Sequence, residues 1–148
     1  MNATDYDRDF YQWTQQQAAL LRQGQLSRLD VENLAEEIES MGKSDRRALG
    51  GHLTNVLLHL LKWQYQPRRR SASWALSINN GRQEIGWIIQ DSPSLRPRLS
   101  ALLQDAYPTA RRNAAAQTRM ALMIFPETCP FSAEQVIDDY WPDDPPSP

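Results

Sequence analysis

The 148-residue chain has one cysteine, Cys129, so it carries no intramolecular disulfide and no cysteine-based structural zinc site. Glycine is scarce, with six in all, and none stands in a dinucleotide-binding or phosphate-cradling pattern. No apolar run approaches the ~20 residues that a membrane-spanning helix needs. The opening MNATDYDRDFY also lacks the basic-then-apolar order of a secretory leader. Excess charge is lacking too: 16 basic against 18 acidic residues give −2, which excludes a polyelectrolyte that grips nucleic acid with its whole surface. The expectation is a soluble, cytoplasmic chain with no membrane partner, long enough to bury one core without metal or disulfide help.

What charge there is lies in blocks. Residues 5–39 hold eight acids against three arginines, a local charge of −5, whereas residues 43–82 hold eight bases against Asp45 alone, a local charge of +7. From 120 onward there are six acids and no base. Either the acidic elements pack beside the basic stretch and cancel its field, or that stretch meets an acidic partner.

At about 100° per residue, Tyr6, Phe10, Trp13, Gln17, Leu20 and Leu21 fall in one arc, which predicts a first helix stopped at Gly24. Asp30 is the expected cap of a short second helix, with Val31, Leu34, Ile38 and Met41 as its apolar stripe and Gly42 as its end. Ser44 opens a third, in which Leu49, Leu53, Val56, Leu57, Leu60 and Leu61 align, while Leu58 and Tyr65 widen the apolar arc past half the circumference. Such a helix must touch more than one neighbour, which makes 45–66 the predicted central helix. Pro67 ends it. Trp74, Ile78, Ile85, Ile88 and Ile89 predict a fourth helix, with Gly81 on the same face permitting close approach of another backbone. A fifth starts at Ser92 or Ser94, accepts Pro97 in its first turn, and is kinked or ended by Pro108. TARRNAAAQTRM resumes helical composition, and Ser132 with Gln135 predicts a capping box for a last short helix through Tyr140. No alternating stretch is long enough for a sheet. The expected fold is all-α: a single irregular bundle of five to seven helices over 1–141, followed by a disordered, acidic, proline-rich tail over 142–148.

Candidate chemistry is sparse. His52 and His59 lie on one face of the central helix but roughly 10.5 Å apart along its axis, too far to share a metal unaided, and they read as residues flanking the core beside Trp63. Glu36 and Glu37 with His59 would make an acid/base or cation site only if they converged in space; as a solvated face they are counterions for the basic middle. Cys129, between prolines in PETCPF, has no local partner that would activate a thiolate. Gly50 and Gly51, a pair inside a helical pattern, read as close packing or a local bend. No cofactor and no metal are expected.

The richest segment is KWQYQPRRRSASW, which interleaves Lys62, Arg68, Arg69 and Arg70 with Trp63, Tyr65 and Trp74 at the junction of two helices. Guanidinium groups grip carboxylate or phosphate in a bidentate fork, and aromatic faces stack on bases or on the arginines themselves. The competing reading makes Trp63 and Trp74 the anchors of a corner whose arginines are solvated or paired within the chain. On the fourth helix, Leu76 and Trp87 share the face opposite the apolar stripe, with Asn80 and Gln83. They predict either a cover from within the domain or a self-association surface.

The ordered series DFYQW, LDVENLAEEIESMGKSDRRAL, HLLKWQYQPRRRSASW, DSPSLRPRL and FPETCPF resembles the bacterial family catalogued as domain of unknown function twenty-nine, over roughly residues 6 to 141. The resemblance implies an all-helical domain and brings no catalytic residue to any position. Its signature includes Glu36, Glu37, His59, Lys62, Trp63, Tyr65, Pro67, Arg69 and Trp74. The expected function is a small non-enzymatic interaction or regulatory protein whose basic-aromatic corner meets a protein, or a second copy of itself. Nucleic-acid binding through the same corner is the alternative, and a Glu/His hydrolytic or metal site the third.

Overall fold

Every regular element in the computed structural model, which describes residues 3–144, is helical. Six α-helices follow in order: α1 Ala3–Arg8, α2 Phe10–Arg22, α3 Val31–Tyr65, α4 Ala72–Asp91, α5 Leu99–Thr118 and α6 Ala133–Ile137. Four short 3₁₀ segments connect them, and there is no strand among the described residues. The chain is all-α, as expected, and its contacts group it into two compact units, Met1–Ser44 and Asp45–Pro148.

In the first unit the expected single opening helix is two. The Asp9 carboxylate accepts a hydrogen bond from Gln12 N at 3.0 Å and caps α2, because a short polar side chain competes with the helix for its own backbone donors. Helix α2 then stops at Gly24, which takes a left-handed φ of +70. Trp13, Gln17 and Leu20 are its buried residues. Trp13 Nε1 donates to Asp30 at 3.0 Å, Asp30 N donates to Gln17 at 2.9 Å, and the Tyr6 hydroxyl donates to Glu37. Along the opening segment, residue numbers fall from Gln17 and Trp13 of α2 to Tyr6 of α1 as their partners rise from Asp30 to Glu37, so the segment runs antiparallel to the start of α3.

The second unit is built on the later turns of α3. Leu49, Val56, Leu57, Leu60 and Leu61 are wholly buried among Ile78 and Ile85 of α4, Leu103, Tyr107, Ala110 and Ala114 of α5, and Phe125 and Val136. Gly81 is where α4 meets α3: a Cβ there would stand 2.4 Å from Val56 Cγ2. The close approach read from the sequence is therefore real at Gly81. It is absent at Gly50 and Gly51, where an added Cβ would meet nothing within 4 Å.

Two boundaries differ from expectation, and a third expectation is narrowed. Gly42 and Ser44 do not separate two helices; α3 runs through them as one element of 35 residues. A glycine inside a helix costs only about 1 kcal/mol, and the helical patterns on either side are both strong. Pro97 delays α5 to Leu99, because the residue before a proline avoids the α conformation, so Pro93–Arg98 is 3₁₀ and the predicted cap at Ser92 or Ser94 falls outside the α-helix. Of the two outcomes expected at Pro108, a kink or an end, the end does not occur, since α5 runs through it. Both Pro108 and Gln104, whose carbonyl it deprives of a donor, face solvent, so water replaces the missing bond. Of the tail expected over 142–148, Pro142 is buried and Asp144 pairs with Arg70, while residues 145–148 lie outside those described.

Candidate functional site

The basic-aromatic corner is assembled where α3 runs out. Pro67 forces a short 3₁₀ turn, Pro67–Arg69, and Ser71 restarts the chain as α4 by accepting a hydrogen bond from Trp74 N at 3.2 Å. The seven candidate residues then separate into two groups.

Five are occupied by the protein itself. Trp63 lies 4.6 Å from the ring of Trp141 and offers its carbonyl to Arg70 Nε at 2.8 Å. Arg70 also stacks over Trp63 at 5.2 Å and is held by the Asp144 carboxylate at 3.0 Å. Lys62 sits over Trp74 at 4.6 Å and donates to Gln117 at 2.9 Å; burial lowers its pKa from the usual value. Tyr65 packs edge-on against Phe125 at 5.1 Å, and burial raises its pKa. Cation–π contacts of this kind contribute about 0.5–1 kcal/mol each at exposed sites. These side chains fasten the helix junction.

Arg68 and Arg69 are different. Both are exposed, neither has a carboxylate against it among the described residues, and both line an open hollow floored by Tyr65, Gln66 and Pro67. The turn after α3 leaves both side chains at the surface.

Three residues the sequence reading passed over complete the corner. Arg82 reaches from α4 into the final segment, donating to the carbonyls of Val136, Gln135 and Tyr140 at 2.8, 2.9 and 2.6 Å, and lies 5.4 Å over Trp141. Trp141 and Asp144 then close on Trp63 and Arg70 from that segment. Contacts across 53 or more residues leave no local trace in the sequence.

The remaining candidates are placed as follows. Glu37 is engaged by Tyr6, whose phenol pKa is pushed up to about 12 chiefly by that hydrogen bond, and Glu36 is exposed. Both belong to the first unit and His59 to the second. His59 is half buried with Nδ1 on the Asn55 carbonyl at 2.8 Å; burial, and then the nearby Lys62 charge, lower its pKa against that bond. No group of three or more His, Cys, Asp or Glu is placed to hold a metal ion among the described residues. The Cys129 thiol donates to Phe131 O at 3.4 Å, and burial raises its pKa, the reverse of an activated nucleophile. Leu76 and Trp87 of α4 are 59% and 52% exposed, so neither is covered among the described residues.

These features define a helical protein whose aromatic corner is mostly internal scaffolding, with Arg68 and Arg69 unpaired among the described residues. The chain belongs to the family described as Domain of unknown function DUF29, whose sequence profile matches residues 6–142. No curated protein and no solved structure matches the chain. Among the described residues no helix is long and apolar enough to cross a membrane.

Proposed function

We propose that the protein is a small interaction protein, and that Arg68 and Arg69 on the turn after α3 bind a short acidic segment of a protein partner. The observation that carries this reading is the exposure of two adjacent guanidinium groups over a hollow, while their neighbour Arg70 is neutralised by Asp144. Planar guanidinium groups bind carboxylates through paired hydrogen bonds, and exposed arginines begin with no partner to give up.

The same geometry weighs against nucleic acid as the ligand. Each neutralised phosphate steepens the dependence of affinity on salt by about 0.9 logarithmic units, so two free arginines give a slope near −2. Trp63, Tyr65 and Trp74, which would stack on bases, already face Trp141, Phe125 and Lys62.

The test is titration of the purified chain with a polyglutamate peptide and, separately, with a single-stranded oligonucleotide. The expected result is peptide binding that vanishes in the Arg68→Glu, Arg69→Glu double variant with unchanged helicity. Equal peptide binding by that variant sinks the proposal, and so does oligonucleotide binding with a slope much steeper than −2.

A further inference from the structure

The end of the chain already places a carboxylate on the corner. Trp141 is lodged against Trp63 at 4.6 Å and under Arg82 at 5.4 Å, and Pro142 after it is buried. Past Pro142 the attachment thins. Asp143 and Asp144 are both exposed, and among the described residues no backbone-to-backbone hydrogen bond ties 139–144 to the rest of the chain. Among those residues the end is held by a single polar contact, the Asp144 carboxylate on Arg70 Nη2 at 3.0 Å.

That contact is open to exchange. The Asp144 side chain is 72% exposed and that of Arg70 27%. An ion pair so accessible to water favours its closed form by at most about fivefold, and a carboxylate from another molecule meets the same guanidinium on the same chemical terms. Arg70 keeps its place when Asp144 leaves, because its Nε donates to the Trp63 carbonyl at 2.8 Å and its guanidinium lies 5.2 Å over the Trp63 ring. Consecutive Cα atoms are about 3.8 Å apart, so Arg68, Arg69 and Arg70 arise within about 8 Å of chain. An extended segment of about eight residues spans about 25 Å and can address all three guanidinium groups.

We infer that Asp144 is a built-in competitor for the acidic partner: it occupies Arg70 in the free protein, a carboxylate of the partner's segment takes its place, and Arg70 then joins Arg68 and Arg69 as a third contact. This rests on the function proposed for Arg68 and Arg69 and adds to it an internal inhibitor and a demand on the partner. Tethered as it is, Asp144 presents its carboxylate at an effective concentration in the millimolar range. A lone acid does not overcome that. A run of three or more acids does, because its first contacts on Arg68 and Arg69 supply a tether of their own. Trp141 and Pro142 stay seated, so the exchange displaces only the chain after Pro142.

Calorimetric titration of the full chain with a polyglutamate peptide of about eight residues tests this through a double-mutant cycle. Asp144→Asn removes the competitor and should tighten binding about two- to fivefold. Adding Arg70→Gln to that variant should weaken binding about fivefold or more, since one bidentate contact is lost. On the Arg70→Gln background alone, Asp144→Asn should change nothing, because no guanidinium is left to compete for. In the wild-type chain, which needs no substitution to fold, saturating peptide should move the Asp144 amide resonance and leave that of Tyr140, whose carbonyl Arg82 holds, in place. A gain from Asp144→Asn that persists without Arg70 is mere relief of charge repulsion and overturns the inference, as does an Asp144 resonance that ignores bound peptide. In either case, binding that still requires Arg68 and Arg69 leaves the proposed function standing. Peptide bound by neither the wild type nor the Asp144→Asn variant removes both.

Discussion

Replacing Arg82 with methionine keeps most of the side-chain stem and removes every donor. In the second unit Arg82 makes three hydrogen bonds to the carbonyls of Gln135, Val136 and Tyr140 and stacks over Trp141, while its Nη1 is shielded from solvent without a partner. Charge-assisted bonds each contribute about 1.5–3 kcal/mol net. The full sum is not lost, because the guanidinium is only half buried and the freed carbonyls regain some water. The shielded Nη1 also means that the wild-type arrangement already carries one unsatisfied donor. Allowing for these, the substitution should cost about 2–4 kcal/mol. For a protein of this size the loss lowers Tm by about 5–15 °C. Calorimetry reads the shift, and hydrogen exchange locates it, with loss of protection concentrated at 133–141. Tryptophan emission should move to the red as Trp141 and Trp63 lose cover. Arg82→Lys should fall nearly as far, since one ammonium on a flexible stem does not reproduce the planar fork. A methionine variant within about 2 °C of the parent, or a lysine variant with full stability, refutes the reasoning.

Gly81→Ala places a methyl group against Val56 at 2.4 Å, and the valine is wholly buried with one strongly preferred helical rotamer, so it cannot swing aside. Overpacking of about 1–3 kcal/mol should exceed the gain in helix propensity of about 1 kcal/mol, and adding Val56→Ala should recover part of the difference in a urea titration. For His59, burial sets the folded pKa below the usual 6.5. Below that pH the unfolded chain binds a proton that the folded chain refuses, so stability should fall as pH drops through 6.5 toward the folded pKa. Comparing unfolding free energies at about pH 7.5 and about 5.5, the His59→Gln variant should lose this part of the decline, and an unchanged decline counts against the assignment.

Much of the helical layout was legible because it depends on local patterns. The apolar period at 49–61 marks the buried turns of α3. Ser132 and Gln135 form the capping box that their spacing announces, with bonds of 2.9 and 3.2 Å. Gly81 stood on the face that α4 turns to α3. The error at Gly42 came where a local signal was real but weaker than its surroundings: glycine is poor in a helix, yet it is carried through. The corner was half legible. Its residues were visible as a cluster, but which arginine is free depends on Asp144, 74 positions from Arg70, and on Arg82 pinning the segment that carries it.

By itself the sequence determined that the chain is helical, where most of its helices turn their apolar faces, and that basic and aromatic residues gather around Pro67, because periodicity, capping and proline chemistry act within a few residues. Only the tertiary structure decided that Trp63, Trp74, Lys62 and Arg70 satisfy one another while Arg68 and Arg69 do not, and that Ile38 and Met41 remain uncovered. Burial and charge pairing depend on which distant segments meet, and no local pattern in the sequence encodes that meeting.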